Sequence, residues 1–175
     1  NISKMMAVLA GIGLIIACAC VLNNYIDRHI DFVMTRTRNR ALAAGRINVR
    51  AAMTYAFSLG LIGFLLLWLF ANPLTFYLGI AALFSYVAVY GFIKRRSVWG
   101  TVVGSIPGAL PVTAGYTSVA SELDGAAVLL FAILIAWQMP HFYAIGIFRL
   151  QEYKAAKLPI LPIKKGLERT KFEIL

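Results

Sequence analysis

Charge is scarce in this sequence. Only 14% of its 175 residues are Asp, Glu, Lys or Arg, 61% are hydrophobic, and the mean hydropathy is +0.78. A soluble domain usually carries about 25% charge. One globular core in water is therefore excluded, because so much apolar surface needs lipid as its solvent. Cysteine is nearly missing too. Cys18 and Cys20 lie two apart in an apolar run. Helical side chains at that spacing do not face each other, which excludes a disulfide or a shared metal between them. The net charge of +10 does not point to nucleic acid, since the cations sit in short stretches between long apolar runs. No solenoid repeat or low-complexity segment is present. No initiator Met precedes Asn1, and apolar sequence begins almost at once. The chain reads as an internal piece of a longer protein, so the missing signal peptide carries no weight.

Five stretches are long enough to cross a bilayer, which takes roughly 20 mainly apolar residues: 5–26, 51–70, 74–93, 98–119 and 125–148. Only Asn72-Pro73 and their neighbours separate the second from the third, so those two pair as an antiparallel hairpin. The fourth is the weakest and holds Pro107 and Pro111, which are expected to break it locally. Its Gly100, Gly104 and Gly108 allow close helix packing or, with a broken helix, line a cavity. Residues 166–175 are expected to open another helix. The sequence predicts an all-α transmembrane bundle forming a single domain over 1–175.

Charge orients it. Six basic residues fall between Arg28 and Arg50, three follow the third span (Lys94, Arg95, Arg96), and seven follow the fifth. That places sixteen of the seventeen Lys and Arg on one side of the topology. The two opposite links hold none, and the longer carries Glu122 and Asp124. The basic side is expected to be cytoplasmic, or matrix-facing in an organelle.

The acidic residues then stand out. In Asn23-Asn24-Tyr25-Ile26-Asp27-Arg28-His29-Ile30-Asp31, the residues Asn23, Asp27 and Asp31 recur every four positions where the first span leaves the membrane. Four residues advance a helix by about 400°, so the three share one face. Mg²⁺ takes a few carboxylate oxygens and fills its remaining positions with water and substrate phosphate. The bland alternative is a polar helix end paired with Arg28 or Arg36. Against it, carboxylates at a helix C-terminus oppose the macrodipole, and at membrane depth they are costly. The basic stretch Arg36-Thr37-Arg38-Asn39-Arg40 offers guanidinium groups to a departing diphosphate; positive-inside bias accounts for it equally well.

The fifth span ends in Trp137-Gln138-Met139-Pro140-His141-Phe142-Tyr143, followed by Arg149 and Glu152. Pro140 can kink the helix. His141 reads as a buried neutral histidine, a haem-iron ligand, a proton acceptor, or a propionate or phosphate contact. His29, among charges at the helix exit, carries no special reading.

The first acidic motif, the Arg36–Arg40 stretch and the Trp137–Phe142 segment together resemble the UbiA-type intramembrane prenyltransferases, and the last of them points to the haem-farnesylating branch. Leu158-Pro159-Ile160-Leu161-Pro162 is similar to that branch's following loop. The resemblance covers essentially the whole chain. It implies a bundle of about nine helices around a lateral cavity, of which this chain supplies the second to sixth. It implies that Asn23, Asp27 and Asp31 bind Mg²⁺ and farnesyl diphosphate, that Arg40 and His141 are functional, and that the acceptor is haem B, giving haem O. Candidate substrate contacts beside these are Asn24, Arg36, Lys94, Arg95, Trp137 and Arg149. The resemblance further implies a bacterial inner membrane and association with haem-handling or terminal-oxidase assembly proteins. Other branches usually carry a second acidic motif near the end of the fifth span, where this sequence has His141, Arg149 and Glu152. A quinone or phenol prenyltransferase would be expected to keep that motif. A transporter, the other rival, would need ionisable residues near mid-membrane.

Overall fold

The structure, a computed structural model, describes residues 2–175. All regular elements among them are helical. Five long helices run alternately up and down: α1 (Ile2–Val33), α2 (Val49–Phe70), α3 (Pro73–Ile93), α4 (Gly100–Ala120) and α5 (Gly125–Phe148). Three short ones follow: α6 (Leu150–Ala155), α7 (Leu161–Lys164) and α8 (Leu167–Phe172). By length and composition α1, α2, α3 and α5 can cross a membrane. The fourth long helix, α4, has the reach, but its apolar content is diluted by Gly, Ser and Thr. It buries Ser105, Thr113, Thr117 and Ser118 between α3 and α5. Large apolar side chains such as Phe57, Leu61, Leu65, Leu69 and Ile133 lie exposed on the outer faces, where lipid is their solvent.

The helix ends follow from local chemistry. Asn48, Asn72 and Asp124 stand just before α2, α3 and α5, and their side-chain oxygens accept from the backbone N–H of Arg50 (2.8 Å), Thr75 (2.9 Å) and Ala127 (2.9 Å). At the end of the bundle away from the basic loops, Asn72 Nδ2 donates to Thr117 O at 2.7 Å. The fully buried hydroxyls of Thr75 and Thr117 meet at 3.1 Å. Hydrocarbon offers polar groups no partner, so this knot pins α3 to α4. On the other flank α1 crosses α2 where neither has bulk. A Cβ on Gly63 would lie 2.9 Å from the carbonyl oxygen of Gly11, and Ile15 and Leu67 close the contact.

One sequence expectation needs correcting. Pro107 and Pro111 do not break α4, which runs unbroken through both, as α5 does through Pro140. Proline is tolerated in membrane helices because neighbouring helices re-satisfy the freed backbone groups. Within α3, residues Ser85–Tyr90 form a π-helical turn, a feature on which the sequence reading was silent. The chain after Gly166 does form a helix, six residues long.

Candidate active site

The first helix does not stop at the end of its apolar run. It continues to Val33, so Asn23, Asp27 and Asp31 all stand on helical backbone, and both aspartates are buried. Two other segments bring cations to them. From the α3–α4 link, Lys94 Nζ donates to Asn23 Oδ1 at 2.6 Å and pairs with Asp27 Oδ2. Its neighbour Arg95 donates from Nη2 to Asp27 Oδ1 at 2.6 Å and to the carbonyl of Ile26 at 2.7 Å. From the α1–α2 loop, Arg40 Nη1 reaches both oxygens of Asp31, at 3.1 and 2.9 Å. Buried Thr37 secures that turn by donating to the carbonyl of Asp31 at 3.1 Å. Each aspartate is thus compensated by a cation from elsewhere in the chain. Such buried pairs add little stability as a whole, but removing one partner strands a charge and costs about 3–5 kcal/mol. Burial pushes the Lys94 ammonium below the usual lysine range, against the pull of Asp27.

Lys94 is delivered by the π turn. Tyr86, Tyr90 and Lys94 follow one another at four-residue spacing. The two tyrosine rings stack at 5.6 Å, and Lys94 Nζ lies 4.8 Å from the Tyr90 ring centroid. π-helical turns occur frequently at functional sites. Glycines of α4 make room for this arrangement. A Cβ on Gly100 would lie 2.8 Å from the Cα of Lys94, and one on Gly104 would lie 2.8 Å from the Tyr90 ring. Gly108 faces only the flexible end of Gln138. Gly100→Ala should therefore destabilise the fold by about 1–3 kcal/mol, since backbone cannot swing aside. Gly108→Ala should cost less, and thermal unfolding in detergent compares the two.

Below Lys94 lies a cavity. Its upper part, about 270 Å³, is lined by Lys94, Tyr90 and Tyr153 among others. A deeper part of about 320 Å³ lies among Ile15, Ala19, Leu83, Pro107 and Pro111. Tyr86, Gly104 and Phe142 line both parts, so one passage leads from the cations down into apolar surroundings.

The remaining candidates fall at varying distance from the stripe. Arg36 enters through its backbone, whose N–H donates to Glu152 Oε2 at 3.1 Å, while Arg149 donates to Glu152 Oε1 at 2.8 Å. Those two bonds, the Arg36 N–H first, hold the Glu152 carboxyl below the usual range. They tie the α1–α2 loop to α6. Glu152→Ala should speed amide exchange across residues 34–40 roughly tenfold in mass-spectrometric hydrogen exchange. Because the native carboxyl is depressed, the tie is complete at neutral pH and is lost only as pH falls below the ordinary carboxylate range. Asn24 lies off the stripe and makes no side-chain hydrogen bond among the described residues. His141 is exposed rather than buried. Its ring stacks on exposed Trp137 (5.2 Å, 10°) and tilts against Phe142 (5.8 Å). The histidine therefore does not line the cavity, although its neighbour Phe142 does, and it is not brought to the aspartates. Tyr86 and Tyr90 were missed from the sequence, although their spacing to Lys94 was the available signal.

Among the described residues no three His, Cys, Asp or Glu side chains converge into a ready-made metal cage. The oxygens of Asn23, Asp27 and Asp31 are hard donors, and each carboxylate oxygen has lone pairs beyond the one used by its cation. That set fits a hard divalent ion that draws its remaining ligands from water and phosphate.

The UbiA prenyltransferase family profile matches residues 1–175. A protoheme IX farnesyltransferase of Klebsiella pneumoniae subsp. pneumoniae is 49% identical over 167 residues, covering 95% of this chain and 57% of the relative. Another, from Citrobacter koseri, is 47% identical over 175 residues, covering 99% and 59%. That of Escherichia coli O1:K1 is 49% identical over 167 residues, covering 95% and 56%. The chain thus spans less than three fifths of the length of these curated relatives. No solved structure matches. With its all-helical bundle of apolar helices, the chain is an integral membrane protein and belongs to the UbiA prenyltransferase family.

Proposed function

We propose that this protein transfers a farnesyl group from farnesyl diphosphate to a vinyl group of haem B, giving haem O. The observation that carries the reading is the stripe Asn23–Asp27–Asp31, met by Lys94, Arg95 and Arg40 where the apolar passage opens. Asn23, Asp27 and Asp31 would hold Mg²⁺, which when bound supplies Lewis-acid charge to the diphosphate oxygens. Lys94, Arg95 and Arg40 place three positive charges where negative charge grows as the allylic C–O bond breaks and its electron pair leaves with diphosphate. The passage excludes water and takes the isoprenoid chain. Tyr86, Tyr90 and Phe142 turn rings into it, and their π faces favour an allylic cation. Of Tyr25, Trp137, Phe142 and Tyr143, the aromatics that the sequence offers for this task, only Phe142 lines the passage; Tyr25 is covered by Arg28 at 4.4 Å. The vinyl π electrons form the new C–C bond, and water closes the porphyrin-side cation as a hydroxyl with loss of a proton. The relatives' shared name, protoheme IX farnesyltransferase, supports haem as the acceptor. The basic end would face the cytoplasm of a bacterial inner membrane, in keeping with its load of sixteen cations.

The test supplies haem B, farnesyl diphosphate and Mg²⁺ to the full-length protein and looks by mass spectrometry for a hydroxyethylfarnesyl porphyrin. Prenylation of a phenolic quinone precursor with haem left untouched would overturn the acceptor assignment.

A further inference from the structure

A second group of cations stands beside the acidic stripe. Arg95, Arg96, Lys154, Lys157 and Lys164 line an open groove of about 430 Å³, and no carboxylate lines it. Lys154, Lys157 and Lys164 form no ion pair among the described residues. Its floor includes Leu158 and Ile163, so the groove is amphipathic rather than only charged. Positive-inside bias explains cations on this side, but three further features go beyond it. First, Lys157 holds φ at +54°, a left-handed conformation that residues other than Gly and Asn seldom adopt. It closes α6 with its own N–H on Lys154 O (3.0 Å) and the Leu158 N–H on Tyr153 O (3.0 Å), a cap in which glycine is usual. Backbone of this kind persists only where its surroundings over-determine it, and here it carries a side chain that lines the groove. Second, Arg95 belongs to both places: it lines the groove while its guanidinium holds Asp27. Third, Leu158 lines both the groove and the cavity that contains Lys94. A ligand with an anionic edge in the groove can thus extend an apolar body past Leu158 towards the site of bond formation.

We propose that this groove seats the two propionate carboxylates of the acceptor porphyrin, fixing which edge of the ring is turned inward. The inference rests on the reading of haem B as acceptor. Propionates and vinyls lie on different edges of the ring, so anchoring the acids at the basic surface leaves a vinyl edge free to point towards Lys94 and the allylic carbon. A phospholipid headgroup carries similar anionic chemistry and is the alternative occupant to be separated.

The experiment compares the full-length protein with its Lys154→Gln/Lys157→Gln/Lys164→Gln variant in nanodiscs, using Soret absorbance to titrate haem B and haem B dimethyl ester. Loss of charge-assisted contacts to carboxylates should weaken haem B binding roughly tenfold. The dimethyl ester should bind both proteins alike, and KM for farnesyl diphosphate should stay within about twofold, well inside one contact's worth. Restoring the three positions as arginine should recover most of the haem B affinity. The effect should be equal in neutral phosphatidylcholine and in phosphatidylglycerol discs. Unchanged haem B affinity, an equal loss with the ester, or an effect confined to anionic lipid would each overturn the assignment. Haem bound in this charge-dependent way without any farnesylated product would leave the groove standing and remove the proposed reaction instead.

Discussion

Asp27→Asn should abolish farnesyl transfer, with kcat falling by at least about a thousandfold, the scale of losing an electrostatic group that acts on a leaving group. The amide keeps the shape of the carboxylate, so helix packing should survive. What goes is the charge that faces Lys94 and Arg95 together. Those cations would then turn on the diphosphate with no carboxylate to anchor a divalent ion between them. Detergent-solubilised variant of unaltered helical content but no product, assayed by mass spectrometry, is the outcome in view. Turnover within tenfold of the parent would remove Asp27 from the chemistry.

Lys94→Met should lower kcat by roughly a hundred- to a thousandfold. The methionine keeps an apolar stem of similar length beside Tyr90 and Gly100, so the passage keeps its walls. The lost ammonium leaves Asn23 Oδ1 without its donor and Asp27 with Arg95 alone. Arginine should not rescue the variant. The compact ammonium meets Asn23 Oδ1 and Asp27 Oδ2 from one point, which a longer planar fork does not reproduce. Because Lys94 and Asp27 act on the same charge, the double variant should be barely slower than Asp27→Asn, a departure from additivity that rate measurements on all four proteins can expose.

The parts of this site that could be read from the sequence are those written in the helix period. Asn23, Asp27 and Asp31 share a face because each lies four residues from the next, and α1 stays helical far enough to honour that spacing. Lys94 and Arg95 were accessible from charge alone, as cations flanking a span on the same basic side of the topology as the aspartate stripe. Four of the five expected spans were legible from apolar run length, with capping side chains such as Asn48 and Asn72 setting helix starts, whereas α4 falls short in apolar content and α1 runs on to Val33. What stayed hidden depends on contacts between distant segments. The tie from Glu152 to the Arg36 backbone joins residues 116 positions apart, and no local pattern announces it. The tyrosine pair escaped because its four-residue spacing to Lys94 carries no meaning until the fold brings Lys94 to Asp27. Pro107 and Pro111 suggested a break that tertiary packing of α4 overrides. His141 sits in an apolar run, yet its ring lies exposed against Trp137, since run composition says nothing about which face of α5 is covered.

Calorimetric titration of the full-length protein with a non-ionising thio-analogue of farnesyl diphosphate probes the whole scheme without requiring turnover. Binding should be tight with millimolar-range Mg²⁺, a common working level for this weakly held ion, and should collapse both in chelator and in Asp27→Asn. Equal affinity with and without the divalent ion, in parent and variant alike, would mean that Asn23, Asp27 and Asp31 hold no metal–diphosphate.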